Sequence, residues 1–218
     1  MSPAPDDQLP RGLPGPLPEG ESILWQGAPQ ARALARRALH ERLVLLYFLG
    51  AACFVAGISW SRGRSVTEVA VALGLTALAC LAVVAIIRIY AALVARTTVY
   101  TLTTRRIVMR IGVAWPITVN LPHAEIAGAA FRADPDGTGD IPVALGGEGR
   151  LAYFHLWPHA RPWRVGRPEP MLRALPEVGQ VAALLARSLG SGPLGRAAAA
   201  RADSASAPDL ARHPAAAA

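Results

Sequence analysis

The chain contains no lysine, and only two of its 218 residues are cysteine. All 22 basic side chains are therefore arginine, which together with abundant alanine, glycine and proline is typical of a GC-rich genome and carries no functional signal. Cys53 and Cys80 lie inside apolar stretches, so we interpret them as small apolar residues and not as a disulfide framework. Residues 1–22 lack the apolar centre of a cleavable signal peptide, so the first apolar stretch is expected to direct the chain to the membrane.

Charged residues are also missing from two long stretches, residues 43–60 and 69–87. As helices these would be roughly 27–28 Å long, close to the ~30 Å thickness of the hydrocarbon layer. The polar break at 61–65 is too short to recross the membrane, so the two helices must be antiparallel neighbours. The sequence therefore predicts a two-helix transmembrane hairpin, with the second helix continuing to about Ala95.

The arginines flank this hairpin and do not fill its loop. Four lie directly before it, in residues 31–42, whereas the loop has two, offset by Glu68. The positive-inside rule therefore predicts that both termini are cytoplasmic and that Arg88 lies at the inner interface. This placement accounts for much of the formal net charge of +7, so we expect no nucleic-acid partner.

Beyond the hairpin the apolar pattern changes to strict alternation. Alternating residues predict antiparallel strands, and an apolar stripe over 176–189 predicts a closing helix. The predicted strands are 99–103, 107–111, 117–121, 126–132, 140–145 and 150–154. We therefore predict an α+β membrane protein, in which the hairpin carries a cytoplasmic antiparallel β-barrel like a pleckstrin-homology (PH) domain with a C-terminal helix.

The expected organisation has five parts. Residues 1–20 and 191–218 are rich in proline, glycine or alanine and are predicted to be disordered. Residues 21–30 form a strand that packs on the barrel. Residues 31–95 hold a basic flank and the hairpin, and residues 97–190 form the PH-like domain.

The segment 155–164 is the most informative candidate for a site. Trp157, Arg161, Trp163 and Arg164 are residue types that dominate protein interfaces, and the prolines among them lower the entropy cost of docking. These four are the candidate partner-binding residues. The alternative is that the tryptophans cover the end of the barrel or contact lipid. A metal site on the two histidines of this segment is disfavoured, because Pro158 prevents them from sharing a helical face.

Two arginine pairs are candidates for contacts with anionic lipid. Arg36 and Arg37 lie in the flank before the hairpin, and Arg105 and Arg106 lie in the first strand turn. The alternatives are a simple juxtamembrane flank and a generic basic turn. The glycine-rich segments 137–140 and 146–149 are interpreted as hairpin turns. No spacing indicates a catalytic, cofactor or metal site, so no enzyme is expected.

Two resemblances add to this reading. The segment from Tyr100 to Gly112, directly after a hairpin, resembles the bacterial membrane-anchored PH family. A wider combination of motifs resembles the photosynthetic-complex assembly family of purple bacteria. Those motifs lie in residues 17–27, 109–113, 137–141, 151–153, 156–164 and 170–173, and the resemblance spans about residues 9–190.

The second resemblance implies a non-enzymatic factor that helps to build the reaction centre and its light-harvesting ring. It implies a multi-pass location in the bacterial inner, intracytoplasmic photosynthetic membrane and no cofactor. The expected partners are reaction-centre and light-harvesting subunits and membrane lipids, and a homodimer is left open. The wider family suggests the alternative of a lipid-sensing or envelope adaptor. The assembly family offers no catalytic or pigment-ligating residue to transfer.

Overall fold

The computed structural model describes residues 11–146, 153–164, 166 and 168–190. The chain forms two compact units, one made of residues 30–96 and the other of the residues before and after it. The termini predicted to be disordered lie outside the described residues except for residues 11–20. That segment contains no helix or strand, but Leu13 is buried and Gly12 lies against Val99.

The first unit contains three helices: α1 (Ala31–Arg37), α2 (Glu41–Ser61) and α3 (Val66–Thr97). Helices α2 and α3 have 21 and 32 residues and are long and apolar enough to cross a membrane. Helix α3 begins at a capping box, in which the Glu68 carboxylate accepts from the Ser65 backbone N–H at 2.9 Å and the Ser65 hydroxyl accepts from the Glu68 N–H at 3.3 Å. The two predicted apolar helices are thus present: α2 is slightly longer than its apolar stretch, whereas α3 continues well beyond residue 87 to Thr97, close to the predicted end at about Ala95.

An ion pair links α2 and α3. Arg88 Nη2 lies 2.7 Å from Glu41 Oε1, and Arg88 Nε donates to the same oxygen at 2.8 Å. Glu41 is buried whereas Arg88 is largely exposed. The pair therefore connects the first turn of α2 to the last third of α3.

The second unit begins with a four-stranded antiparallel sheet. Its strand order is β1 (Ile23–Gly27), β2 (Val99–Thr103), β3 (Arg106–Ile111) and β4 (Ile117–Pro122). Strand β1 pairs with β2 although residues 30–96 separate them in sequence. The expected alternation is incomplete in β2, because its threonines are buried as well as its apolar residues. Those hydroxyls have partners: Thr101 accepts from the Gln26 amide and Thr103 donates to Glu21.

The second sheet is centred on β7 (Gly139–Leu145), which pairs antiparallel with β5 (Ile126–Ala129), β6 (Arg132–Ala133) and β8 (Met171–Leu175). The single strand predicted over 126–132 is interrupted into β5 and β6, and β8 was not predicted. The predicted turn at 137–140 is confirmed only at its start: Gly137, with φ +76° and its N–H bonded to the Asp134 carbonyl, lies in the turn, whereas Gly139 and Asp140 belong to β7. Of the other predicted turn, residues 147–149 lie outside the described residues.

The prediction of a strand over 150–154 is wrong at its C-terminal end. Tyr153–Leu156 forms a short helix, α4, and residues 150–152 lie outside the described residues. The closing helix, α5, runs from Val178 to Ser188. It begins two residues later than predicted because Glu177 has a left-handed backbone, φ +49°, which cannot belong to a helix.

One hydrophobic core joins both sheets and α5. Tyr100 and Met109 from the first sheet, Val143 from the second and Val181 and Leu185 from α5 belong to a single buried cluster. The strand pairings of the described residues form two separate sheets, so closure into a barrel stays a prediction.

Replacing Trp25 tests how much the packing of β1 on this core contributes to the free energy of unfolding. Its half-buried ring packs on the core and lies so close to Gly27 that a Cβ there would be 2.3 Å from it. Replacing a fully buried tryptophan costs about 3–5 kcal/mol, so Trp25→Ala should lower the free energy of unfolding by about 2 kcal/mol. Urea unfolding of the full chain in detergent measures this change. Leu24→Ala, on the exposed side of the same strand, is the control; equal losses for the two variants would contradict the assignment.

Candidate partner-binding surface

The segment predicted to bind partners is a loop that turns back along itself into β8. Leu156 and Ala160 are buried on its inner side. Ala160 forms a β-bridge with Pro170, and the Arg161 N–H donates to the Glu169 carbonyl at 2.9 Å. The Met171 N–H donates to the His159 carbonyl at 2.8 Å. Backbone hydrogen bonds therefore tie the two arms of the loop to each other and to the start of β8.

His159 anchors this loop in the core. Its side chain is completely buried, with Nδ1 2.6 Å from Tyr100 Oη and Nε2 3.2 Å from Thr98 Oγ1. Tyr100 Oη also accepts from the Arg173 N–H at 3.2 Å, so the tyrosine O–H is free to donate to Nδ1. We infer that the imidazole is the neutral tautomer with its proton on Nε2, which donates to Thr98.

The electrostatics of this network favour neutral groups. Burial, with a smaller effect of the Arg173 charge, lowers the pKa of His159 to about 3. Burial also raises the pKa of Tyr100 well above its usual value, so the phenol keeps its proton. Neither ring is ionised at neutral pH, which suits a position with no access to solvent.

Arg173 supplies the charged part of the same region. Its side chain is 8% exposed, and Nη1 donates to the Pro158 carbonyl at 3.0 Å. Burial lowers the pKa of Arg173, and the nearby Asp140 carboxylate opposes this effect most strongly. Asp140 Oδ1 also accepts from the Ala174 N–H at 2.7 Å. The peptide bond between Trp157 and Pro158 is cis.

The outer side of the loop exposes aromatic rings. Phe154 is 87% exposed, Trp157 48% and Trp163 96%, and Trp163 has φ +65°. We refer to these three side chains as the aromatic loop surface. Aromatic side chains of this size are a large source of binding energy when a partner buries them.

The two arginines of the loop have partners within it. Arg161 Nη1 lies 2.7 Å from Glu169 Oε2, and Arg164 Nη1 lies 3.2 Å from Glu169 Oε1. The structure thus places all four predicted residues on one loop but gives the arginines a role in holding its shape. Sequence reasoning missed Phe154, because a strand was predicted there, and it missed Glu169 and the anchoring role of His159.

The lipid-binding candidates lie in different units and differ in exposure. Arg106 Nε lies 2.9 Å from Glu21 Oε1, and Arg106 Nη2 donates to Glu21 Oε2 at 3.0 Å, whereas Arg105 is exposed. Burial raises the pKa of Glu21, but the bonds from Arg106 and Thr103 outweigh it, so the pKa lies below its usual value. A lipid contact by Arg106 would require this pair to open.

Arg36 and Arg37 belong to α1, in the other unit, where both are half-buried. Arg36 Nε donates to the Arg32 carbonyl at 3.3 Å. No described residues form a cluster of three or more histidine, cysteine or acidic side chains suited to a metal ion.

Comparison with known proteins places the chain in a family. The bacterial PH domain model matches residues 44–189, a range that includes most of α2, all of α3, strands β2 to β8 and α5. The chain therefore belongs to the bacterial PH domain family. It is also 34% identical over 178 residues to an uncharacterized 23.7 kDa protein in the puhA 5′ region of Rhodobacter capsulatus, covering 81% of this chain and 83% of that protein. No solved structure gives a significant match.

Proposed function

We propose that this protein is a membrane-anchored, non-enzymatic assembly factor for the photosynthetic reaction centre and its light-harvesting complex. In this role it binds client subunits through the aromatic loop surface. The observation that carries the proposal is that three aromatic side chains are exposed, one in α4 and two in the loop that follows it, and that the inner side of this loop is fixed in the core.

Membrane anchoring is supported by the exposure of α2 and α3. In the most apolar window of each helix, only 6% and 0% of the residues are buried by protein. A core helix of a soluble protein would instead have its apolar side chains covered. The hydrocarbon layer of a bilayer can cover such apolar surfaces. A helix is stable there because it satisfies its own backbone hydrogen bonds.

Client binding is supported by the chemistry of the loop. Tryptophan is enriched among the residues that carry most of the energy of protein interfaces. Glu169 pairs with both Arg161 and Arg164, so the loop presents apolar rings beside an ion-pair cluster in which one of the two positive charges is compensated. Backbone hydrogen bonds and His159 hold the loop in place, which reduces the entropy lost on binding.

The choice of client is supported by similarity. The motifs of this chain resemble those of the photosynthetic-complex assembly family, and its 34% identical relative is in the puhA 5′ region of a purple bacterium. A membrane anchor would raise the local concentration of the loop near membrane-embedded clients. The absence of a catalytic role is supported by His159 and Tyr100, which are enclosed and bonded to each other.

Cysteine labelling tests the predicted topology. In a Cys53→Ala, Cys80→Ala background, Ser61→Cys should react with an impermeant maleimide added to intact cells, because the α2–α3 turn is expected outside. Thr118→Cys, exposed on β4, should react only after the cells are opened. Labelling of position 118 but not 61 in intact cells would reverse the topology.

A deletion strain tests the assembly role. Without this gene, cells should synthesise the reaction-centre polypeptides normally but accumulate less of the pigmented complex. Truncating an aromatic interface residue costs about 2 kcal/mol or more of binding energy, so Trp157→Ala with Trp163→Ala should restore only part of the complex. Near-infrared absorbance of isolated membranes measures the complex, and pulse labelling follows synthesis of its subunits.

Two controls separate binding from folding in this experiment. Trp163→Phe keeps an aromatic ring and should restore more complex than Trp163→Ala. Immunoblotting of the membranes checks that every variant accumulates. Normal levels of complex in the deletion strain would contradict the assembly role and favour the lipid-sensing adaptor.

A further inference from the structure

The turn between β3 and β4 consists entirely of apolar residues. Residues 112–116 read Gly-Val-Ala-Trp-Pro, and Ala114, Trp115 and Pro116 are all exposed. Hairpin turns are normally rich in polar residues, because they face water. Trp115 is 84% exposed, so this turn presents its largest apolar side chain to the surroundings.

This turn has a defined shape. Gly112 has φ +108°, and a Cβ at this position would lie 2.2 Å from the Trp115 carbonyl oxygen. Only glycine is compatible with that backbone angle and that close approach. The apolar tip is therefore held by the backbone and by the last pair of the ladder, between Ile111 and Ile117.

The strand register places the β3–β4 turn at the end of the sheet where the chain enters β2 from α3 and leaves β1 toward α1. Val99, just after the last residue of α3, pairs with Arg110, so β3 ends beside the start of β2. Gly27 pairs with Tyr100, so the chain leaves β1 toward α1 at the same end. Both connections to the helices of spanning length therefore emerge beside the apolar turn.

The opposite end of this sheet has a different chemistry. It carries the turn with Arg105 and the Glu21–Arg106 pair, next to Thr103. The five residues of β2 separate the two ends by roughly 17 Å at ~3.3 Å per residue. When the Val99 end of the sheet faces a bilayer, the β3–β4 turn is therefore nearer to the lipid than the turn that contains Arg105.

We propose that the β3–β4 turn docks into the lipid headgroup layer, with Trp115 as its interfacial anchor. Tryptophan prefers this layer because its ring is largely apolar and its indole N–H finds polar partners there. Arg110, exposed on β3 at the same end, adds a positive charge suited to anionic headgroups. The proposal rests on the membrane anchoring in the proposed function, but it does not depend on the assembly role.

Fluorophore quenching in liposomes tests the docking. The full chain, with Cys53→Ala and Cys80→Ala, carries an environment-sensitive fluorophore at one of three positions: Ala114→Cys in the apolar turn, Thr104→Cys at the other end of the sheet, or Leu78→Cys within α3. The vesicles contain phosphatidylcholine and phosphatidylglycerol, with a spin-labelled quencher either near the headgroup or at mid-chain.

We expect the headgroup-level quencher to reduce emission from position 114 by roughly half, in keeping with residence at the interface. Position 104 should be unaffected, and position 78 should respond to the mid-chain quencher. Adding Trp115→Ala should remove most of the quenching at 114, whereas Trp163→Ala should leave it unchanged.

The outcomes separate the two proposals. Quenching at 78 without quenching at 114 overturns the docking of the turn and leaves the anchor intact. Absence of quenching at both positions overturns the membrane anchoring itself. If position 114 is unquenched in liposomes but shielded from maleimide in photosynthetic membranes, a protein covers the turn and the lipid assignment is wrong.

Discussion

Replacing His159 with leucine is expected to lower the free energy of unfolding by about 3 kcal/mol. Leucine fills much of the imidazole volume but cannot bond to Tyr100 Oη or Thr98 Oγ1, both fully buried. Each buried polar group left without a partner costs about 1–3 kcal/mol. Urea unfolding of the full chain in detergent at neutral pH measures the loss.

The same variant should also change the dependence of stability on pH. Folded His159 has a pKa of about 3 against an ordinary value of 6.5, so between these values the unfolded chain binds a proton that the folded chain does not. Stability contributed by the neutral histidine is complete above pH 6.5 and is lost as the pH falls toward 3. The expected slope is about 1.4 kcal/mol per pH unit, and His159→Leu should lack it.

The control is His155→Leu, an exposed histidine on the same loop. Glu21 and His123, whose pKa values are also below their usual values, titrate in all three proteins, so the difference between the curves isolates His159. Parallel curves for the wild type and His159→Leu between pH 6.5 and 4.5 would show that the buried imidazole is not held neutral.

The hairpin and the first sheet were predictable because their signals are local. An uncharged stretch long enough to span a membrane reflects the lipid around a single helix. A period-two alternation reflects the core on one face of a single strand and water on the other. Strand β8 lacked such a signal, since Arg173 interrupts its apolar residues and Pro170 precedes it. Its burial depends on β7 and on the partners of the arginine, which are distant in sequence.

The candidate site was predictable in its residue types but not in their roles. Trp163 was found because tryptophan beside proline in a polar loop already suggests a contact surface. The pairing of Arg161 and Arg164 with Glu169 depends on the bridge between Ala160 and Pro170, which is a tertiary feature. Adjacent residues can also have different surroundings: Arg106 pairs with Glu21, 85 positions earlier in the sequence, whereas Arg105 is exposed.

The second large effect is expected from Asp140→Asn. Asparagine keeps the shape of the side chain and an oxygen that can accept from the Ala174 N–H, so the change removes mainly the negative charge. Arg173, 8% exposed, would then lose the carboxylate that most strongly favours its charged form. Removing one partner of a buried ion pair costs about 3–5 kcal/mol; Asp140 is partly exposed and acts on Arg173 by attraction over a longer distance, so the expected loss is about 2 kcal/mol.

A double-mutant cycle distinguishes this mechanism from a general weakening of the second sheet. In an Arg173→Met background the buried cation beside Asp140 is gone, so Asp140→Asn should cost at least about 1 kcal/mol less than it does in the wild type. Glu125→Gln, which removes an exposed carboxylate beside β5, should leave the urea midpoint unchanged. If Asp140→Asn costs the same with and without Arg173, the carboxylate acts only as an acceptor for the backbone of β8. The arginine must then be stabilised by its bond to the Pro158 carbonyl, and its fixed position would make that bond a second anchor of the aromatic loop surface.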